Sequence, residues 1–274
     1  MTFLDRLRAA ERGNGSMLCV GLDPDPSRFP GKLRDDANRI YDFCARIVDA
    51  TADLVIAFKP QIAYFAAHRA EGQLEQLMEH IRRTAPKVPV ILDAKRGDIG
   101  STAQQYAREA FERYGADAVT LSPFMGFDSI EPYLASPAHG AFLLCRTSNP
   151  GGDDLQNQRL ASVEGQPLLY EHVARLAQGR WNANGQLGLV VGATYPAEIE
   201  RVRQLAPTLP LLIPGVGAQG GDAAATVRAG WRADAAIVVN SSRTILYASA
   251  GDDFAEAARR EAMRTRDLLQ AARP

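Results

Sequence analysis

The segment Asp93-Ala94-Lys95-Arg96-Gly97-Asp98 follows directly on the apolar run Val88-Pro89-Val90-Ile91-Leu92. An extended backbone sends successive side chains to opposite faces, so Asp93 and Lys95 point one way and Ala94 the other. Asp98 lies beyond the strand, within reach of that lysine. The apolar flank implies a low local dielectric, where leaving any of these charges unpaired is costly. Such a cluster is a candidate for chemistry resting on lysine and carboxylates. The plainer alternative is a structural ion pair that closes a strand. Two nearby carboxylates raise a lysine pKa, which opposes the neutral amine that a Schiff base requires.

Other polar residues also follow apolar runs. Asp23 comes after Leu18 to Leu22, Lys59 after Leu54 to Phe58, Thr147 and Ser148 after Ala141 to Cys145, Gly215 after Leu211 to Ile213, and Arg243 just past Ala235 to Val239. Singly, Asp23 reads as a turn former before Pro24 and Lys59 as a solvated strand end before Pro60. Together they suggest one site. The stretch Pro214-Gly215-Val216-Gly217-Ala218-Gln219-Gly220-Gly221-Asp222 is a glycine-rich turn leading into a helix. Its backbone N–H groups suit an anion such as phosphate, and Arg243 can add a bidentate clamp. The histidines His68, His80, His139 and His172 avoid these turns and show no metal-ligand spacing, so metal catalysis is disfavoured. No Gly-x-Ser-x-Gly elbow is present, nor a cysteine beside an obvious base.

What must position these groups is a regular alternation. Runs at Val88 to Leu92, Ala118 to Leu121 and Leu187 to Val191 complete a set of eight candidate strands, and most of the intervals between them carry a helical pattern. After the third run, for example, Ala103, Tyr106, Ala107, Ala110, Phe111 and Tyr114 keep helical spacing behind Ser101 as a possible cap. Eight such units in about 250 residues predict an α/β fold of the TIM (β/α)8 barrel type, whose reactive groups gather where strands end. An open doubly wound sheet fits less well, because the first turn, Gly21-Leu22-Asp23-Pro24-Asp25-Pro26, lacks the dinucleotide fingerprint. No domain boundary interrupts the pattern, so residues 1–274 are expected to form a single domain. The long polar connection from Thr147 to Gln166 reads either as an active-site loop or as a mobile surface insertion, and Phe254 to Leu269 as the closing helix.

With 31 Lys and Arg against 32 Asp and Glu, the net charge of −1 offers no basic stripe, so nucleic acid is an unlikely partner. Cys19, Cys44 and Cys145 are odd in number and far apart, as expected of reduced core residues in a cytoplasmic protein. The N-terminus lacks the apolar core of a signal peptide, and no stretch is long enough to cross a bilayer, so no membrane association is expected.

On these residues the chain resembles the orotidine 5'-phosphate decarboxylase family. The stretch from Ile91 to Thr102 is similar to the signature around that family's catalytic lysine, and Pro214 to Gly221 to its phosphate-gripping loop. The resemblance spans nearly the whole chain and is nearest the longer bacterial subfamily, given the length of the loop after Ser148. It implies removal of CO2 from orotidine monophosphate to give uridine monophosphate in de novo pyrimidine biosynthesis, with no cofactor and no metal. Lys95 would be the proton donor in an alternating array with Lys59, Asp93 and Asp98. The implied substrate contacts are Asp23 at the ribose, Ser148 at the pyrimidine, and Pro214, Gln219 and Arg243 at the phosphate end. It further implies a homodimer in which Asp98 and Thr102 reach the partner's site. Compact members have Gly before the last arginine, whereas this chain reads Asn240-Ser241-Ser242-Arg243. Three competing readings are a class I aldolase, a metal-dependent sugar-phosphate lyase of the same superfamily such as hexulose-phosphate synthase, and a non-enzymatic phosphate-ligand binder. The last leaves the lysine and aspartate array without a purpose.

Overall fold

The computed structural model describes residues 1–216 and 221–274. Its eight parallel strands are β1 Leu18–Leu22, β2 Ala57–Pro60, β3 Ile91–Arg96, β4 Ala118–Leu121, β5 Gly140–Arg146, β6 Leu187–Val191, β7 Leu211–Pro214 and β8 Ile237–Ser241. They hydrogen-bond in the order β2-β1-β8-β7-β6-β5-β4-β3. Parallel bridges Phe58 to Val90 and Gln61 to Asp93 bring β2 against β3 and complete the expected barrel. The helices are α1 Phe3–Asn14, α2 Ile40–Thr51, α3 Ile62–Ala66, α4 Glu71–Thr84, α5 Gly100–Arg108, α6 Leu169–Gln178, α7 Pro196–Leu205, α8 Ala223–Gly230, α9 Arg243–Leu246 and α10 Phe254–Ala271.

Both faces of the strands are buried, which is why they read as continuous apolar runs. One residue from each strand, among them Cys19, Ala57, Phe142 and Val238, packs inside the barrel with Phe3 and Leu7 of α1. The outward residues form a larger core beneath the helices. Helix α1 starts at a reciprocal cap between Thr2 and Asp5 and closes one end of the barrel, the Phe3 ring meeting Phe142 edge-on at 5.8 Å. A Cβ at Gly140 would stand 2.1 Å from the Phe3 ring, so only glycine admits that plug.

Strands β1, β4 and β6 coincide with their apolar runs residue for residue. Elsewhere the pairing shifts toward the open end. Residues 54–56 lead into β2, and Lys59 belongs to the strand rather than following it. Strand β3 likewise contains Asp93 and Lys95. The ladder outlasts the apolar run because these charged side chains satisfy one another across the barrel mouth. Ser101 is not the cap of α5: the helix begins at Gly100 with Ile99 in the cap position, and widens into a π turn over Glu109–Arg113. The closing helix runs two residues beyond its expected end, to Ala271. The connection after β5 is folded, with a 3-10 turn over Pro150–Asp154 and an antiparallel bridge from Arg159 to Leu168. Among the described residues no helix is long and apolar enough to cross a membrane.

Candidate active site

At the open end of the barrel lies a cavity of about 890 Å³, large enough for a nucleotide. Asp93 stands at its base as a bridge between two cations. Its Oδ2 accepts from Lys59 Nζ at 2.7 Å, and its Oδ1 accepts from Lys95 Nζ at 2.5 Å. The Lys59 side chain is 5% exposed and that of Lys95 46%, so one ammonium is sealed within the barrel while the other faces the cavity. The two strands present their residues at matching heights, since β1 registers Gly21 with Lys59 and the bridge at Gln61 places β2 beside Asp93.

The electrostatics follow from this packing. Burial opposes a charge on Lys59, but the carboxylates of Asp93 and Asp23 outweigh it and hold the ammonium well above the ordinary lysine range. Burial likewise opposes ionisation of Asp93, and the two lysines with their hydrogen bonds hold its carboxyl well below the usual carboxylate range. The carboxylate is thus hydrogen-bonded to two ammonium groups, one of which faces the cavity, where ordered charge can stabilise charge that develops in a reaction.

The remaining expected residues separate into three groups. Asp23, Ser148, Pro214 and Arg243 all line the cavity. The Asp23 carbonyl accepts from the Tyr247 hydroxyl at 3.0 Å, while its carboxylate Oδ1 is buried with no hydrogen-bond partner among the described residues. Ser148 is packed against Gly192, where a Cβ would come within 2.7 Å of the serine Cβ. Arg243 is exposed at the start of α9. Gly215 has φ +104°, a conformation that favours glycine and turns the chain out of β7. Gln219, together with Gly217, Ala218 and Gly220 of the expected phosphate turn, lies outside the described residues; the helix beyond it, α8, is capped by Asp222.

Asp98 and Thr102 form the second group. Asp98 does not pair with Lys95 of its own chain, contrary to its expected reach. Its Oδ1 accepts from the Ile99 N–H at 2.8 Å at the entry to α5. The backbone diverts it: Arg96 accepts from Ser122 N at 2.7 Å, and Gly97 packs against Ser122. Thr102 is exposed on α5, and neither residue lines the cavity of its own chain.

The third group escaped the sequence reading. Thr120 on β4 contacts both Asp93 and the backbone around Lys95; its one signal is that it is polar in an otherwise apolar run. Arg146, 3% exposed at the end of β5, bonds Glu198 of α7 and Asp153 of the following loop. Asn240 is buried on the cavity wall with its Oδ1 lacking a hydrogen-bond partner among the described residues, and its amide donates to Ser242 Oγ at 3.2 Å. Among the described residues no three His, Cys, Asp or Glu side chains stand together as a metal site.

Comparison with known proteins bears on the family and the fold. Residues 16–260 match the family described as "Orotidine 5'-phosphate decarboxylase / HUMPS family". The chain is 84% identical to an orotidine 5'-phosphate decarboxylase from Polaromonas naphthalenivorans, covering 100% of this chain and 97% of that one. It is 81% identical to another from Variovorax paradoxus, over 100% of both chains. A solved structure of Leishmania donovani OMP decarboxylase superposes with a TM-score of 0.81 at 39% identity, covering 97% of this chain and 99% of that one. The chain therefore belongs to the orotidine 5'-phosphate decarboxylase / HUMPS family.

Proposed function

We propose that the cavity carries out the reaction for which its decarboxylase relatives are named: conversion of orotidine 5'-phosphate to uridine 5'-phosphate and CO2, a step of de novo pyrimidine biosynthesis, without a cofactor. The observation that carries this reading is the Asp93 carboxylate held between Lys59 and Lys95 at the mouth of the barrel. When the bond from C6 to the carboxylate breaks, its electron pair stays on C6 as a carbanion with little resonance relief. The required help is electrostatic, together with a proton delivered to that carbon. Lys95 faces the cavity and supplies the proton from Nζ, later regaining one from water. Lys59 keeps Asp93 ionised, and Asp93 keeps Lys95 aimed.

Ser148 reads the pyrimidine, Asp23 the ribose hydroxyls, and Pro214, Gln219 and Arg243 the phosphate end. Binding energy from that remote phosphate organises the charged base of the cavity. Residues 1–274 act as one catalytic domain. The working unit is a homodimer in which Asp98 and Thr102 complete the partner's site; their positions outside their own cavity support this reading. Free, buried Cys19, Cys44 and Cys145 suit a cytoplasmic enzyme.

The test is the loss of orotidylate ultraviolet absorbance with excess chelator present. Turnover unaffected by the chelator is expected, and Lys95→Ala should abolish it while uridine monophosphate still binds within a few-fold. Activity lost to the chelator and restored by a divalent ion would overturn the metal-free reading.

A further inference from the structure

The array at the cavity base is held by a residue of the neighbouring strand. Thr120 is 1% exposed on β4. Its Oγ1 accepts the backbone N–H of Ala94 at 3.0 Å and that of Lys95 at 2.9 Å, and it lies 2.9 Å from Asp93 Oδ1. A hydroxyl oxygen whose two lone pairs both receive N–H donors bonds a carboxylate in one way, by donating its own proton. The direction of the third bond is thus determined, and it is charge-assisted.

The backbone shows why these bonds are needed. Strand β3 registers Leu92 with Val119 and Arg96 with Leu121, so residues 93–95 oppose Thr120 alone. The bulge takes the Ala94 and Lys95 N–H groups out of the ladder, and Lys95 adopts φ +46°, a left-handed conformation that a non-glycine residue holds only when its surroundings impose it. Thr120 supplies both missing acceptors from a single oxygen.

We infer that Thr120 is a positioning residue for the reaction: its hydroxyl locks the bulge that aims the Lys95 ammonium and fixes the Asp93 carboxylate between the two lysines. This role rests on the proposed decarboxylation. Thr120 does not line the cavity. Its loss leaves the remote phosphate and ribose contacts in place and loosens the group that delivers the proton, so the effect falls on kcat.

The test compares Thr120→Val, which keeps the shape and removes all three bonds, with Thr120→Ser, which keeps the hydroxyl. Thr120→Val should lower kcat about 100-fold, the upper range for loss of a supporting hydrogen bond, with KM and uridine monophosphate affinity within about 3-fold. Thr120→Ser should recover kcat to within about 5-fold of the parent. The acid limb of the kcat profile should rise in pH for valine and stay in place for serine, because the carboxylate loses a donor only in the first. The role is overturned if valine retains more than about a third of kcat, if KM rises while kcat holds, or if serine is no better than valine. Should valine fail to yield folded protein, Thr120→Cys takes its place, with the connectivity of serine, a larger atom and a far weaker donor; cysteine equal to serine in kcat overturns the role. Absence of orotidylate turnover in the unsubstituted protein would instead overturn the functional reading on which the role rests.

Discussion

Replacing Arg146 by methionine should separate scaffold from chemistry. Its guanidinium bonds Glu198 Oε2 at 2.8 Å, Asp153 Oδ1 at 2.7 Å and the Thr147 carbonyl at 3.3 Å, tying the end of β5 to α7 and to the loop that carries Ser148. Gln156 extends the tie by accepting from Thr147 N at 2.8 Å. Methionine fills the stem of the cavity but leaves Glu198, 22% exposed, without its cation. A charged hydrogen bond lost at a largely buried position costs about 2–3 kcal/mol. Asp153, 58% exposed, resolvates readily, and its pair adds at most about 0.5–1 kcal/mol. The sum of about 3 kcal/mol lowers Tm by about 5 °C in a protein of this size. Because the loop loses its anchor two residues from Ser148, KM for orotidylate should rise about 10-fold, with a smaller change in kcat. Thermal melts and steady-state kinetics on Arg146→Met, Glu198→Leu and the double variant would measure this. The expected coupling between the two positions is about 2 kcal/mol. A Tm loss under about 1 °C, or coupling under about 0.5 kcal/mol, would refute the view that this buried pair holds the loop.

Three further outcomes follow. Arg243→Ala should reduce kcat/KM for the nucleotide about 100-fold and leave the bare nucleoside nearly unchanged; equal losses with both would mean that Arg243 does not grip phosphate. Mixing inactive Lys95→Ala with inactive Asp98→Ala should regenerate activity, since a hybrid dimer holds one site free of both substitutions; with subunit exchange demonstrated, no recovery would place Asp98 at work within its own chain. The depressed Asp93 pKa gives stability that is complete above its unfolded value of about 3.9 and is lost as pH falls through the folded value. The raised Lys59 pKa gives stability complete below its unfolded value of about 10.4 and lost as pH rises through the folded value. Neither group titrates between about pH 5 and 9, so kcat should be flat there, and a midpoint near neutrality in a pH–kcat series would contradict the assigned charges.

The chain by itself determined the barrel and many of the polar residues that line its mouth. Parallel strands covered on both faces must be written as short apolar runs, and a polar residue that ends such a run stands at the barrel mouth; Asp23, Lys59, Asp93, Lys95 and Ser148 were legible for that reason. Tertiary structure alone decided which of these charges meet. Asp98, three residues from Lys95, turns to its own backbone, while Lys59, thirty-four residues from Asp93, donates to it at 2.7 Å. Sequence distance carries no information about contacts across a barrel, because neighbouring strands are joined only through long helical connections. The same reasoning explains Thr120 and Arg146. A lone polar residue in a buried strand declares that it has a partner but not which one, and the partner is set by the register of β3 on β4 and by the packing of α7 over β6, which neighbours β5. Those are properties of the closed barrel, where hydrogen-bond registry between strands far apart in the chain brings a threonine oxygen within reach of two amides and a carboxylate.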